Sequence, residues 1–327
     1  MTDAAGNVLI TSAGRRVQLV RFFQRALVDR GVAGHALVAE ANPDWSAAAR
    51  IAHGAYRLPQ LSDGRYERDL LDLVEREGIR LIVPTIDTEL LQLAMLRDSL
   101  LERGCHVSVS DAALVEICRD KRRSDAWFRT MGFDTPQIFA RDQISFPCFV
   151  KPYDGSLSRG ARALLSPDTL SPELLADEKL MFMELFDPAE YDEFTVDAYY
   201  SRRGELKCLV PRKRVEVRGG EISKGVALKG ATYDYLHARL GGVTGARGCL
   251  TFQFFAARAQ PRWAAIELNP RFGGGYPLSY AAGAHYPDWL IREYFFCEEI
   301  PAFDGWAAGT AMARYDAEVI FSLPVTG

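Results

Sequence analysis

From Val8 to Ser110 the chain alternates short apolar runs with segments of helical spacing, a rhythm that needs helices on both faces of a sheet. Val8 to Thr11 is the first apolar run and Gly14 supplies a turn. Val17, Val20, Phe23 and Leu27 then recur on one helical face. His35 to Glu40 is the next expected strand, followed by a helix with Tyr66, Leu70, Leu73 and Val74 on one side and a strand from Arg80 to Pro84. A helix over Glu89 to Glu102 and a strand over His106 to Ser110 complete the unit. The pattern predicts a parallel, doubly wound sheet.

From Asp111 the rhythm changes. A helix is expected through Leu114 to Met131, then a connector at Thr135–Pro136 and a strand from Cys148 to Lys151. Strands crowd together beyond it: Leu180 to Leu185, Glu193 to Tyr199, Lys207 to Val210, Cys249 to Ala256 and Trp263 to Asn269. Such a run predicts an α+β unit on an antiparallel sheet. Gly305 to Gly327 contains one further expected strand, in GTAMARYDAEVIF.

Composition removes several classes of function. Among 327 residues the net charge is −4, so no long-range positive field draws nucleic acid or an anionic membrane, and any anion site must be local. No apolar run reaches the ~18 residues of a membrane span. MTDAAGNVLI enters a strand without a signal-peptide pattern, and the expectation is a cytoplasmic protein. Six scattered cysteines without a CxxC pair predict reduced, mostly buried thiols, and the dispersed histidines argue against zinc.

The densest polar signal lies between Thr251 and Arg271. Strict alternation puts Trp263, Ala265, Glu267 and Asn269 on one face of a strand and Ala264, Ile266 and Leu268 on the other. Gln253 sits among the phenylalanines of TFQFF, where an amide needs a partner. One carboxylate and two amide oxygens form a hard-oxygen set that suits magnesium, which takes its remaining ligands from water and phosphate. The same residues also fit an exposed strand end with a turn.

The segment IELNPRFGGG, preceded by TFQFF, resembles the metal-binding signature of the ATP-grasp superfamily, especially the large subunit of carbamoyl phosphate synthetase and related carboxylate–amine ligases. The resemblance implies that Gln253, Glu267 and Asn269 hold magnesium or manganese ions on ATP, and that Arg271 contacts the transferred phosphate. Glutamine at the first position resembles the carbamoyl phosphate synthetase version, since the family more often has an acidic residue there.

FVKPYDGSLSRG resembles the strand and glycine loop that close over the nucleotide, which gives Lys151, Gly155, Ser156 and Gly160 phosphate-binding roles. RDKRRSDAWF resembles the earlier nucleotide-binding segment and points to Lys121. LMFMELF resembles the hinge between the ATP-binding lobes, with Glu184, Leu185 and Phe186 lining adenine and Met181 and Met183 either beside it or in ordinary core. EYDEFTVDAYY assigns Glu193 to the ribose and leaves Asp197 to orient a lysine. The basic stretch PRKRVEVRGGEISKGVALKG resembles the loop carrying substrate-side positive charge, with Arg214 as a catalytic contact beside Arg212 and Lys224; a solvated hairpin is the other reading.

The TSAGRR turn could bind an anion through its N–H groups. Asp87 and Glu89 could hold a substrate amine, or Asp87 could cap a helix. The resemblance covers Val8 to Ile300. It implies a Rossmann-like pre-ATP-grasp domain (1–111), a small lid lobe (112–185) and a large lobe with the metal site (186–327). The implied activity is an ATP-dependent, ADP-forming carboxylate–amine ligase working through an acyl phosphate. Its partners would be a small carboxylate and an amine, amino acids among them, in a homodimer without nucleic acid or membrane. The alternatives are a subunit phosphorylating bicarbonate or carbamate, as in carbamoyl phosphate synthetase, and a non-catalytic ATP sensor.

Overall fold

The computed structural model describes residues 4–155 and 160–322. Its first sheet comprises β1 (Asn7–Thr11), β2 (Ala36–Glu40), β3 (Gly54–Arg57), β4 (Ile79–Pro84) and β5 (His106–Val107), all parallel, in the order β3-β2-β1-β4-β5. Both faces are buried, as parallel sheets require. Val8, Ile10, Val38 and Val83 enter one core, and Leu9, Leu37 and Ile82 enter the other. The first core takes α1 (Val17–Asp29) and α2 (Ala47–Ile51); the second takes α3 (Tyr66–Arg76), α4 (Leu90–Met95) and α5 (Arg97–Glu102). The helix expected over Glu89 to Glu102 is therefore two helices, broken at Leu96.

The helix expected from Leu114 to Met131 is likewise divided into α6 (Ala112–Arg119) and α7 (Lys121–Thr130), because Asp120 leaves helical geometry and its carboxylate accepts from the Arg122 N–H as a cap. This break sets Lys121 at the start of α7. A small antiparallel sheet follows, with β6 (Ile138–Phe139), β7 (Cys148–Pro152), β8 (Arg162–Leu164) and β9 (Leu180–Glu184) in the order β6-β9-β7-β8, and α8 (Pro172–Ala176) beside it.

The large antiparallel sheet runs β14-β13-β10-β11-β12-β15. Its strands are β10 (Tyr191–Tyr200), β11 (Leu206–Arg218), β12 (Glu221–Ala227), β13 (Gly248–Ala257), β14 (Trp263–Asn269) and β15 (Ala311–Ala313). The C-terminal expected strand thus shrinks to the three residues of β15. Phe252, Phe254, Ala265 and Leu268 meet Leu114 of α6 and Phe128 of α7 under one face. α9 (Ala231–Leu240) adds Leu236 and Leu240 to this same core, and α10 (Tyr276–Ala281) and α11 (Tyr286–Phe295) close the other side. Tyr276, Tyr286 and Trp289 share the core of α1 and β1, which fixes the parallel sheet against the large one. Among the described residues no helix is long and apolar enough to cross a membrane. The six cysteines are free, with Cys297 exposed and Cys118 half-buried.

Strict alternation fails in β14. Gln253 faces Glu267 and Phe254 faces Ala265, so Ile266 is an extra residue without a counterpart on β13. Ala265 and Leu268 both enter the core despite their three-residue spacing, and Ile266 turns outward with Glu267. The expected grouping of Ala265 with Glu267 is corrected accordingly.

Candidate functional site

A cavity of about 620 Å³ lies between the small and large sheets, in the size range of nucleotide pockets. Phe149, Lys151, Met183, Phe186, Phe255 and Ile266 are among the residues that wall it. Phe186 stacks on Phe255 at 4.7 Å between ring centroids, which leaves a flat apolar slot at the junction of the sheets. Glu184, Leu185 and Phe186 line this slot where β9 ends. Among the described residues the N–H groups of Leu185 and Phe186 donate no hydrogen bond, so the junction offers free backbone polarity beside apolar walls. Glu184 itself is held by Arg262, at 2.7 and 2.9 Å, and by the Gln137 N–H.

Glu193 of β10 and Arg214 of the neighbouring β11 pair on the wall of this cavity, with Oε1 accepting from Nη1 at 2.5 Å. Burial pushes the Glu193 carboxyl above its ordinary range, and the nearby Glu267 adds to the shift while Arg214 opposes it. Arg214 thus stands in the larger cavity rather than on the expected substrate side. Nor does its neighbourhood form a basic patch. Arg212 is fully buried and Lys224 is spent on Glu216 at the exposed hairpin. Asp197 orients no lysine. Its Oδ2 lies 2.8 Å from Arg212 Nε and its Oδ1 3.0 Å from Nη2, while Thr251 and Ser279 donate their hydroxyls to it. This pair lies beneath the glycine run: a Cβ on Gly275 would sit 2.1 Å from Arg212 Nη1, so only glycine fits there.

Gln253, Glu267 and Asn269 share one face at the end of the paired strands β13 and β14. Gln253 is half-buried and its amide has no hydrogen-bond partner among the described residues. Asn269 Oδ1 accepts only a long contact of 3.4 Å from Arg271. Lys121 Nζ lies 3.5 Å from Glu267 Oε1 and donates to the Gly155 carbonyl at 2.5 Å. Lys151 is buried, and burial pushes its amine down to about 8 against the attraction of Glu267. Two ammonium groups therefore converge on one carboxylate and a strand end with free amide oxygens. That donor set fits a hard divalent cation with phosphate ligands, although no cluster of three His, Cys, Asp or Glu side chains exists among the described residues. Gly160 has a left-handed backbone, φ +72°, and packs on Pro152; Ser156 lies outside the described residues.

Arg271 leaves this face toward the parallel sheet, where Asp87 takes its guanidinium at two points. Asp87 is thus neither a helix cap nor free to hold an amine. Arg16, missed by the sequence reading, packs behind this pair, donating to the Thr85 carbonyl at 3.1 Å. Burial, with the repulsion of Arg271 added, pushes its guanidinium down to about 10. Glu221 and Arg314 form a further pair at 2.6 Å beside Gly274. None of these had a local signal, because their partners are distant in sequence. Ile266 and Phe255 were legible only as strand residues.

The TSAGRR turn does not present a free anion cradle. The Gly14 N–H is taken by Glu40 Oε1 at 2.8 Å. Glu89 is buried, with Thr85 N–H, Ile86 N–H and the Ser12 hydroxyl donating to it, and burial pushes its carboxyl up to about 6.

A parallel-sheet domain joined to two antiparallel lobes that enclose a nucleotide-sized cavity is the architecture of an ATP-clamping ligase. Residues 8–108 match the family described as PylC-like, N-terminal domain, and residues 176–303 match ATP-grasp in the biosynthetic pathway with Ter operon. The ATP-grasp model accounts for residues 176–303, and the chain as a whole has the ATP-grasp fold. No curated protein matches its sequence. Among solved structures it is similar to the biotin carboxylase domain of Hydrogenobacter thermophilus 2-oxoglutarate carboxylase, a dimer with MgADP, ADP and bicarbonate. That match has 17% identity, covers 93% of this chain and 73% of that one, and has a TM-score of 0.72. The Staphylococcus aureus N5-carboxyaminoimidazole synthetase with ADP is similar at 14% identity, over 90% and 78% of the chains, with a TM-score of 0.70. An L-amino acid ligase from Bacillus licheniformis is similar at 14% identity, over 90% and 75%, with a TM-score of 0.67.

Proposed function

We propose that the protein joins a small carboxylate to an amine through an acyl phosphate, releasing ADP and phosphate. The observation carrying this reading is the convergence of Lys121 and Lys151 on Glu267, beside Gln253, Asn269 and the Asp87-held Arg271, with Lys151 also on the wall of the larger cavity. Adenine would lie against Phe186 and Phe255 with Leu185 and Glu184 at its edge, and Glu193 would take the ribose once it parts from Arg214. Lys121, Lys151 and the loop bearing Gly155, Ser156 and Gly160 would meet the phosphates.

Magnesium held by Gln253, Glu267 and Asn269 would neutralise the β/γ oxygens and polarise the γ-phosphorus. A carboxylate oxygen attacks that phosphorus and the bond to ADP breaks. The chain's part is to align the two anions and offset their charge through Arg271 and Lys151. An amine then attacks the acyl carbon, the carbon–oxygen bond to phosphate breaks, and the amine's proton leaves to solvent or a nearby base. Closure of the lobes must exclude water, because an acyl phosphate hydrolyses.

The test is ADP release from ATP and magnesium across pools of amino acids and small carboxylates. ADP that depends on one pool supports the reading; ATP binding without turnover in any pool, with or without amines, contradicts it. Bicarbonate, present in the Hydrogenobacter neighbour, is the second candidate for the phosphorylated group and belongs among the pools. A homodimer, as in that neighbour, is part of the proposal and is read by light scattering.

A further inference from the structure

A second cavity, of about 210 Å³, opens outside the carboxyl ends of β1, β2 and β4. This is the crevice where chain connections diverge from β1 in opposite directions and open α/β sheets bind ligands. At ~30 Å³ per water it holds ~7 water volumes, the room of a small organic molecule. Its body is apolar, with Ala39, Leu58, Pro59, Leu61 and Ile86 on the walls. Its polar groups are Glu40, Glu89, Tyr66, Thr11, Ser12 and Gln60, and among the described residues no Lys, Arg or His lines it.

Two observations show that this polarity is not satisfied internally. Tyr66 is only 4% exposed, yet its hydroxyl has no hydrogen-bond partner among the described residues. A buried polar group left so costs about 1–3 kcal/mol unless something meets it. Glu40 also keeps spare capacity. It accepts twice at Oε1, from Gly14 and Ser46, and at Oε2 accepts nothing among the described residues, whereas a carboxylate has about four acceptor positions. Two carboxylates without a cation favour a positive guest, and the apolar walls favour a short hydrocarbon body.

We propose that this pocket binds a primary ammonium carrying a short apolar chain. Glu89 belongs to the same loop as Asp87, whose carboxylate holds Arg271. The pocket therefore adjoins the reacting end of the larger site, and its guest is the acceptor amine, a role that rests on the ligase reading above.

The probe is n-butylammonium chloride, titrated without ATP into the full chain by ligand-observed NMR, with sodium butyrate and n-butanol as controls. Binding of n-butylammonium, with none by butyrate and weaker binding by butanol, is expected. Tyr66→Phe removes a hydroxyl that bonds to nothing among the described residues, so its Tm should not fall, while n-butylammonium affinity drops about tenfold. Glu89→Gln should also weaken binding and raise the KM for the amine in amide formation. Equal affinity in the Tyr66→Phe protein, or butyrate binding as well as the amine, overturns the pocket. Amine binding without ADP formation from any carboxylate supports the pocket and overturns the ligase reading. ADP and hydroxamate formation without n-butylammonium binding does the reverse.

Discussion

Asp87 grips Arg271 at two points, Oδ1 to Nε at 3.1 Å and Oδ2 to Nη2 at 2.7 Å, across 184 residues of sequence. The pair ties the loop after β4 to the end of β14, so the parallel sheet orients an arginine of the candidate phosphate site. A bidentate guanidinium–carboxylate contact of this kind fixes direction as well as charge.

Removing Asp87 should therefore act through position. Asp87→Ala frees Arg271 and is expected to lower kcat for ADP formation about tenfold to a hundredfold, with nucleotide affinity little changed. Asp87→Asn, which keeps one acceptor, should recover part of the loss. Steady-state ADP release and calorimetric ATP binding check both halves.

Glu267 supplies the sole carboxylate of the proposed metal set and is partly exposed, 24% for the side chain. Glu267→Gln should cut ADP formation by at least about a hundredfold, while circular dichroism and Tm stay near those of the parent. An active, folded variant contradicts the assignment.

Lys151 gives a pH prediction. Burial lowers its folded-state pKa from the usual 10.5 to about 8, so between those values the unfolded chain binds more protons than the folded one. Stability then rises with pH through that window, and the penalty of a buried charge is fully present below it. Lys151→Met removes the titration. Its Tm advantage over the parent should be largest near pH 7 and shrink toward pH 10, while its ATP affinity is weaker throughout.

Asp197 and Arg212 are both fully buried and pair beneath the glycine run. Asp197→Ala should cost about 3–5 kcal/mol by leaving an unpaired guanidinium in the core, and the double change Asp197→Leu with Arg212→Met should cost less. Urea unfolding of the three proteins measures this.

Four strands of the parallel sheet were legible in the sequence because each is an apolar run set by local burial, as Val8–Ile10 illustrates, whereas β3, whose residues alternate between half-buried and exposed, carried no such run and was not expected. The common face of Gln253, Glu267 and Asn269 was legible too, since these residues lie in strands whose alternation survives at those positions. What failed is what pairing decides. Ile266 is outward because β13 has no residue for it, and the break at Asp120 that starts α7 at Lys121 depends on a side-chain cap. Ion-pair partners failed for the same reason. Asp87 was read as an amine ligand or a cap, Asp197 as a lysine's partner, and Arg212 and Arg214 as substrate contacts, whereas each is joined to a residue on another strand or loop.

The most direct test of the account is hydroxylamine trapping, run with ATP, magnesium and the carboxylate pool that supports turnover. An acyl phosphate predicts hydroxamate forming in step with ADP in the parent protein, and neither product with Glu267→Gln. ADP released in that pool with no hydroxamate, at any hydroxylamine concentration, would contradict carboxylate activation and point to another phosphoryl acceptor.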